Sequence, residues 1–348
     1  MAEPLDPDAM PSWLATVLPT RATATGLLAG VNDDDCAVMQ WDSGLLVATT
    51  DYVNSSPIAV ELDIGDHATI GRLAVAASLA DLLGSGAAPR ALLLAVTMPR
   101  DSTAVDFQRL IVGANDEAQR WNIPIVGGDT KLGRATAVCS TALGYAPSER
   151  NLFLKFRARE GDILWTSGEL GGCSAAVLAL SGLAVDDDSR QWAVRTLTTP
   201  ALPFTQSRGL SELALSVGGT DVSDGLGADL CQLCSASRVG AIVEATSIPL
   251  SRQSSSVAEK LNVPAWSLAF GSGGDFQFLA TTPPEVHDRL VHLGFSPIGR
   301  ITRETSVRLR LPDGRLIPLP ELGHRDGRRT TFSAEIQQLV RDAANAAQ

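Results

Sequence analysis

The chain has 348 residues, 45% of them hydrophobic and 19% charged, enough apolar material for a large core and for two domains of roughly 150 residues each. Its 28 basic and 39 acidic residues give a net charge of −11, which opposes partnership with nucleic acid or with an anionic membrane. No apolar run reaches the roughly 18 residues of a transmembrane helix, and the acidic start, MAEPLDPDAMPSW, lacks the apolar stretch of a signal peptide, so a cytoplasmic protein is expected.

The expected elements alternate along the chain. A short helix over 11–18 is indicated by the helical spacing of Trp13, Leu14, Val17 and Leu18. Strands follow over 36–41 and 45–50, then a helix over 67–84 that is apolar nearly all round and therefore buried. A strand over 91–98, a helix over 103–121 and strands over 123–127 and 135–145 complete a first unit. The charged stretch 147–162 divides it from a second, so domains of 1–150 and 151–348 are expected. The second unit opens on a strand at 163–167 and Gly-rich GELGG at 168–172. Small-residue helices run to about 217, followed by GTDVSDG at 219–225, a helix over 226–237 and a strand over 240–244. GSGGD at 271–275, a strand over 276–281, a helix over 284–294, two short strands and a closing helix from Ser333 end the chain. This alternation predicts an α/β (α+β) protein. Both N-terminal strands are apolar on their two faces and invite pairing with a second copy.

Five cysteines suit a reducing compartment. Cys36, Cys139 and Cys173 read as buried thiols. Cys231 and Cys234 form a lone C-x-x-C with no histidine spaced to join it, and read as two positions on one helix.

Aspartate recurs where strands give way to loops. Asp51 ends LLVATTD, Asp129 follows IVGG, Asp221 and Asp224 share GTDVSDG, and Asp33, Asp34 and Asp35 precede a strand. Any one of these is an ordinary turn former. Asp81 differs, because it lies inside the apolar helix, where a bare carboxylate is costly without a cation or donors. Many hard oxygen ligands with almost no histidine point to Mg²⁺ rather than zinc. The P-loop, dinucleotide-binding, nucleophile-elbow and EF-hand patterns are absent. A nucleotide on this acidic chain would need metal ions and backbone amides to neutralise its phosphates.

The segments NDDDCAV (32–38), TTD (49–51), ASLADLLGSGAAPRALLLAVTMP (77–99), IVGGDT (125–130), GDILWTSGELGGCSAA (161–176), DVSDGLGADL (221–230) and GGDFQFL (273–279) resemble, in order and separation, those of thiamine-monophosphate kinases. The likeness spans roughly residues 25–300. It implies the two-domain PurM-like fold shared with aminoimidazole ribonucleotide synthetase, with N-terminal sheets paired in a dimer barrel and a C-terminal α/β domain completing a site for ATP and Mg²⁺. The metal ligands it implies are Asp35, Thr49, Thr50, Asp51, Asp81, Asp129, Asp221 and Asp224, with Asp129 and Asp224 as catalytic carboxylates. Ser223, Gly128 and Thr130 fall on the nucleotide side. The family's phosphate-binding arginine falls on Lys155, with Arg157 close by.

The acceptor side departs from the family pattern. Ile58 stands where the family has a histidine, Gly274 where it has a glutamate, and a C-terminal tryptophan has no counterpart, while Asp275 and Phe276 remain beside Gly274. These departures suggest ATP chemistry with a small-molecule acceptor other than thiamine monophosphate, in a pocket with Phe276, Gln277 and Tyr52 nearby. A thiamine-monophosphate kinase with a divergent pocket, an ATP-dependent ligase or dehydratase activating an amide or carboxyl oxygen, and a non-catalytic nucleotide-binding module are the competing readings.

Overall fold

The computed structural model describes residues 26–30, 33–271, 273–320 and 332–345, together with Leu14 and Leu18. The helix expected over 11–18 falls otherwise outside the described residues. So do residues 321–329 of PELGHRDGRR (320–329), the stretch that lacks a counterpart of the family's C-terminal tryptophan.

The first sheet has six strands in the order β1-β2-β3-β6-β4-β5. They are β1 (Leu27–Ala29), β2 (Ala37–Trp41), β3 (Gly44–Asn54), β4 (Ala88–Pro99), β5 (Ile125–Gly133) and β6 (Ala137–Ala146). β4 and β5 pair in parallel and the other pairs are antiparallel. A one-turn helix α1 (Ile58–Glu61) and the long α2 (His67–Gly84) connect β3 to β4, and α3 (Ala104–Arg120) connects β4 to β5. Alternation puts Leu92, Leu94, Val96 and Met98 of β4 into the core against α2 and α3. The other face of the sheet stays open, with Met39, Trp41, Tyr52 and Leu93 exposed.

The second sheet has seven strands in the order β13-β12-β9-β11-β7-β10-β8. They are β7 (Ile163–Thr166), β8 (Gly218–Val222), β9 (Gly240–Glu244), β10 (Gln277–Thr282), β11 (Ser296–Thr302), β12 (Val307–Arg310) and β13 (Leu316–Pro318). Helices α4 (Gly172–Leu180), α5 (Asp187–Thr198) and α6 (Phe204–Glu212) separate β7 from β8. They are followed by α7 (Leu226–Ser237), α8 (Arg252–Leu261), α9 (His287–His292) and α10 (Phe332–Asn345). The structure is thus the mixed α/β, two-sheet arrangement expected. No helix among the described residues is long and apolar enough to cross a membrane.

Several elements differ from expectation for physical reasons. β3 runs on to Asn54, so Asp51 sits within a strand rather than at its end. β5 absorbs the whole of IVGGDTKLG, because Gly127 and Gly128 let its backbone close on Leu93 and Leu94, where a Cβ at Gly128 would collide with the Leu94 carbonyl. Three short strands, not two, follow α9. α8 was not anticipated, although Ser251 caps it by accepting from the Ser254 N–H. Cys139 is half-buried on the open face of β6, whereas Cys36 and Cys173 are buried as thiols.

Why α2 is apolar all round is now clear. It packs on α3 and the first sheet on one side and on β8 and β10 of the second sheet on the other. Its closest approach to α3 is at Gly71 and Gly113, where an added Cβ would strike the carbonyls of Leu110 and Ala68 respectively. Gly71→Ala should therefore force α2 and α3 apart and cost about 1–3 kcal/mol of stability. Urea unfolding checks this, and an unchanged midpoint would show that the crossing yields without cost.

Candidate active site

The buried helix α2 organises a cluster of carboxylates. On its sheet-facing side the Ser78 hydroxyl meets that of Ser140 on β6 at 2.7 Å. The β3–β6 register puts Asp51 directly opposite Ser140. One turn beyond Ser78, Asp81 accepts a hydrogen bond from Thr49 Oγ1 at 2.6 Å. At the end of α2, Gly84 lies so close to β8 that a Cβ would stand 2.8 Å from the Asp221 nitrogen. Helix α2 thus brings Thr49 and Asp51 of the first sheet within reach of Asp221 of the second. The loop before β2 adds Asp35, whose carbonyl is 3.3 Å from Thr49 Oγ1 and whose Oδ2 is 3.4 Å from Thr220 Oγ1.

Lys155 meets this cluster from the 3₁₀ turn Lys155–Arg157. Its Nζ donates to Asp35 Oδ1 and, at 3.1 Å, to Gln232 Oε1 on α7. Its backbone N–H donates to Asp34 Oδ2 at 2.9 Å.

The electrostatics are those of acids crowded together with restricted access to water: Asp221 is buried, Asp34, Asp51 and Asp81 are half-buried and Asp35 is exposed. Burial, and then the neighbouring Asp221, Asp51 and Asp35, hold the Asp81 carboxyl well above the usual carboxylate range. Burial and Asp35 do the same for Asp221, against the opposing pull of Lys155. Asp34 is pushed up to about 7, first by burial and then by Asp35. Asp51 is also raised by burial, with Asp35 and Asp224 adding to it. Burial by itself would lower the Lys155 ammonium, but Asp35, Asp221 and Asp34 outweigh it and hold it above its ordinary value. Among the described residues, Asp51 Oδ2 is a buried side-chain oxygen with no hydrogen-bond partner.

These residues fit a cation in one particular way. Among the described residues no three carboxylate, imidazole or thiolate groups converge into a ready-made cage. Mg²⁺ does not need one, since it is commonly held by one or two carboxylates plus water and substrate phosphates. An orphaned, buried carboxylate oxygen beside a raised Asp81 is the donor such an ion would take up.

The other expected residues divide. Asp224 lies close enough to raise both Asp51 and Asp229. Ser223 is exposed on the same loop. Asp129, Gly128 and Thr130 lie on β5, three strands from β3 and so roughly 14 Å away. There Asp129 is exposed, is paired with Lys131 at 3.2 Å and is held below the usual range by that contact. Thr50 faces the open side of the sheet, bonded to Thr141 at 2.8 Å. Arg157 is tied to Glu149 at 2.8 Å rather than to the cluster. Ile58 packs into the apolar cluster beneath α4 and α5. Asp275 caps α4, accepting from the Gly171 and Cys173 N–H groups at 2.6 and 2.9 Å, while burial pushes it up to about 6. Phe276 packs against the first core with φ +53°, a left-handed conformation that is a strain for a bulky residue. Asp34 stands out in the sequence only as part of the Asp33–Asp35 run, and Asp229 and Gln232 are not anticipated there. Asp229 accepts from the Asp224 and Gly225 N–H groups at 3.1 and 3.0 Å and shapes the loop. Its place in the first turn of α7, five residues after Asp224, was the available signal.

Acids raised in the fold bind their protons more tightly there than in the unfolded chain. Their contribution to stability is present below about pH 4 and is lost as pH rises through the folded values, which for Asp34 is about 7. In chelator, the melting temperature of the wild type should fall between about pH 5 and about pH 8, and Asp81→Asn should fall less, since it removes one of the repelling charges. Parallel thermal melts decide it, and equal falls in the two proteins would remove Asp81 from the cluster's charge balance.

Comparison with known proteins completes the picture. Residues 33–146 match the family "AIR synthase related protein, N-terminal domain" and residues 159–311 its "C-terminal domain". Thiamine-monophosphate kinase of Corynebacterium glutamicum is 30% identical over 279 residues, covering 79% of this chain and 82% of that one. The Escherichia coli enzyme of the same name is 28% identical over 302 residues, covering 84% and 90%. The fold is shared with AaThiL complexed with AMPPCP and TMP, at a TM-score of 0.74 and 22% identity over 91% of this chain and 94% of the other. It extends to the hydrogenase maturation protein HypE of E. coli, at a TM-score of 0.62 and 22% identity over 79% and 85%. With both halves of the family matched and a 30% identical relative covered over most of its length, this chain belongs to the thiamine-monophosphate kinase family of PurM-like proteins and is an ATP-dependent kinase.

Proposed function

We propose that the chain transfers the γ-phosphoryl group of ATP to the phosphate of thiamine monophosphate, giving thiamine diphosphate and ADP. The observation that carries the ATP half is the cluster of Asp51, Asp81 and Asp221, each raised first by burial and further by neighbouring acids, Asp35 among them, with Asp51 Oδ2 left without a partner. The acceptor is taken from the relatives, whose shared name supports thiamine monophosphate and lends nothing to the expectation of a changed acceptor.

In this reading Mg²⁺ ions would each be held by one or two of the carboxylates Asp51, Asp81, Asp221 and Asp35, with water and ATP phosphates as the remaining ligands, and would supply the positive charge that lets ATP phosphates approach an acidic site. Thr49 orients Asp81 through its 2.6 Å hydrogen bond. Lys155 holds Asp35 and contributes a point charge beside the phosphates. The exposed Ser223 would face the nucleotide from the loop that Asp229 holds in place through the Asp224 and Gly225 N–H groups. A phosphate acceptor is already an anionic nucleophile, so no residue is required as a general base. The work of the chain is positioning and charge neutralisation.

Thiamine diphosphate formation from ATP and thiamine monophosphate, followed by chromatography, tests the reading. Asp51→Asn and Asp81→Asn should each lower kcat by roughly 100-fold or more while the fold survives. ATP consumption without thiamine diphosphate would remove the acceptor, and undiminished turnover in both variants would remove the metal assignment.

We also propose that two copies pair through the open face of the first sheet. Met39, Trp41, Tyr52 and Leu93 lie on that sheet's exposed surface, Trp41 at 59% and Tyr52 at 68% exposure, and an uncovered apolar sheet face is a pairing surface. Light scattering should give the mass of a dimer at micromolar concentration, and Leu93→Asp should give a monomer that keeps its circular dichroism. A monomeric wild type would sink the pairing.

A further inference from the structure

A second concavity adjoins the carboxylate loop. It encloses about 330 Å³ and is lined by Glu169, Gly172, Trp192, Arg195, Gly274 and Gln277, a size that suits one small heteroaromatic ligand. Its floor is joined to the loop that carries Ser223 and Asp224 just after β8, because the Gly274 N–H donates to the Ser223 carbonyl at 2.9 Å. That floor is bare of necessity. Gly274 has φ +78°, and a Cβ there would stand 3.0 Å from Cys173 Sγ.

The walls carry three different chemistries. Trp192 of α5 is half-buried and backed by the apolar cluster that also holds Ile58 and Leu197, so its ring is supported from behind. Glu169 and Arg195 are exposed and bring one charge of each sign to the same space. Arg195 lies three residues after Trp192 and hence on the same face of α5. The Gln277 amide is held by Ser167 Oγ at 2.9 Å and by the Ala201 carbonyl at 3.0 Å, which fixes the remaining wall. The aromatic residues expected to serve an acceptor do not lie here. Phe276 is packed against the first core, and Tyr52 is exposed on β3 of the first sheet.

We infer that this cavity receives the acceptor, with Trp192 stacking on its cationic heteroaromatic ring, Glu169 opposing the ring's positive charge and Arg195 gripping its phosphate. The inference rests on the kinase reading above and names the residues that set its specificity. A tryptophan face and a carboxylate together select a flat cation. A guanidinium is matched to a phosphate through two parallel hydrogen bonds. A zwitterionic phosphate monoester such as thiamine monophosphate presents both charges at once, which a cavity with a single sign of charge could not satisfy.

The test uses the full-length protein, with thiamine and thiamine monophosphate as the probes. Trp192→Ala and Glu169→Gln should weaken calorimetric binding of both about tenfold and raise the KM for thiamine monophosphate, leaving the KM for ATP unchanged. Arg195→Ala should weaken thiamine monophosphate by a similar factor and leave thiamine unaffected. Trp192→Phe keeps a ring and should recover most of the loss, which separates stacking from damage to the fold, and Glu169 is exposed, so its variant carries little folding risk. If the wild type makes thiamine diphosphate and the three variants match it in KM and in binding, the cavity inference is wrong and the kinase reading stands. If the wild type makes none, the kinase reading fails, and the cavity is then judged by thiamine alone. Binding lost in Trp192→Ala and Glu169→Gln upholds the cationic-ring site, and no binding overturns it.

Discussion

The structure depends on one half-buried carboxylate in a helix that has no polar face. Asp81 projects from α2, which is packed by the first sheet and α3 on one side and by the second sheet on the other. Two like charges about 4 Å apart repel by roughly 4 kcal/mol at an effective dielectric constant near 20, and Asp81 has Asp221, Asp51 and Asp35 acting on it. A fold that served stability alone would place leucine there. Retaining the acid makes sense where a cation and a polyphosphate arrive together.

Because α2 touches both sheets, the site is a product of how the two halves meet and not of either half. Thr49 and Asp51 come from β3, Asp221 from β8 and Lys155 from the segment between the halves. The glycines at the contact are as much a part of this as the acids. Gly84 admits the backbone of Asp221, and Gly71 admits that of Leu110. A bulkier residue at either point would move Asp81 relative to its partners, and phosphoryl transfer, which relies on positioning, is sensitive to such shifts.

Much of this was legible in the sequence, and what was not has a physical reason. The all-round apolar pattern of 67–84 announces a buried helix, and Asp81 within it announces a costly charge. The order of short motifs identifies the family. Strand limits were less readable, because glycine and aspartate in IVGGDT look like a turn while in the fold they continue β5. Three-dimensional neighbours could not be read at all. Asp129 resembles the other aspartates in its motif, yet it stands exposed beside Lys131, three strands from β3. Asp275 looks like a substrate ligand, yet its oxygens are taken by the amides that open α4. Trp192 lies in no motif, and nothing in GELGG singles out Glu169, because a cavity wall needs only the right chemistry at the right place on a helix and a loop.

The same asymmetry governs how the two halves of the reaction are built. On the proposed reading the cations that neutralise a polyphosphate are held by acids that stand near one another, and those acids are fixed by register, by Thr49 and by the buried bond between Ser78 and Ser140. Recognition of a flat acceptor needs one ring and complementary charge at the rim, and a side chain on α5 can supply the ring as well as one on any neighbouring element. On that reading the carboxylate side is rigidly encoded, while the proposed acceptor side has room to exchange its residues. Departures at Ile58 and Gly274 weigh less than they do in the sequence for that reason. One is a packing residue behind the wall that Trp192 forms, and the other is a floor position whose φ and closeness to Cys173 favour glycine.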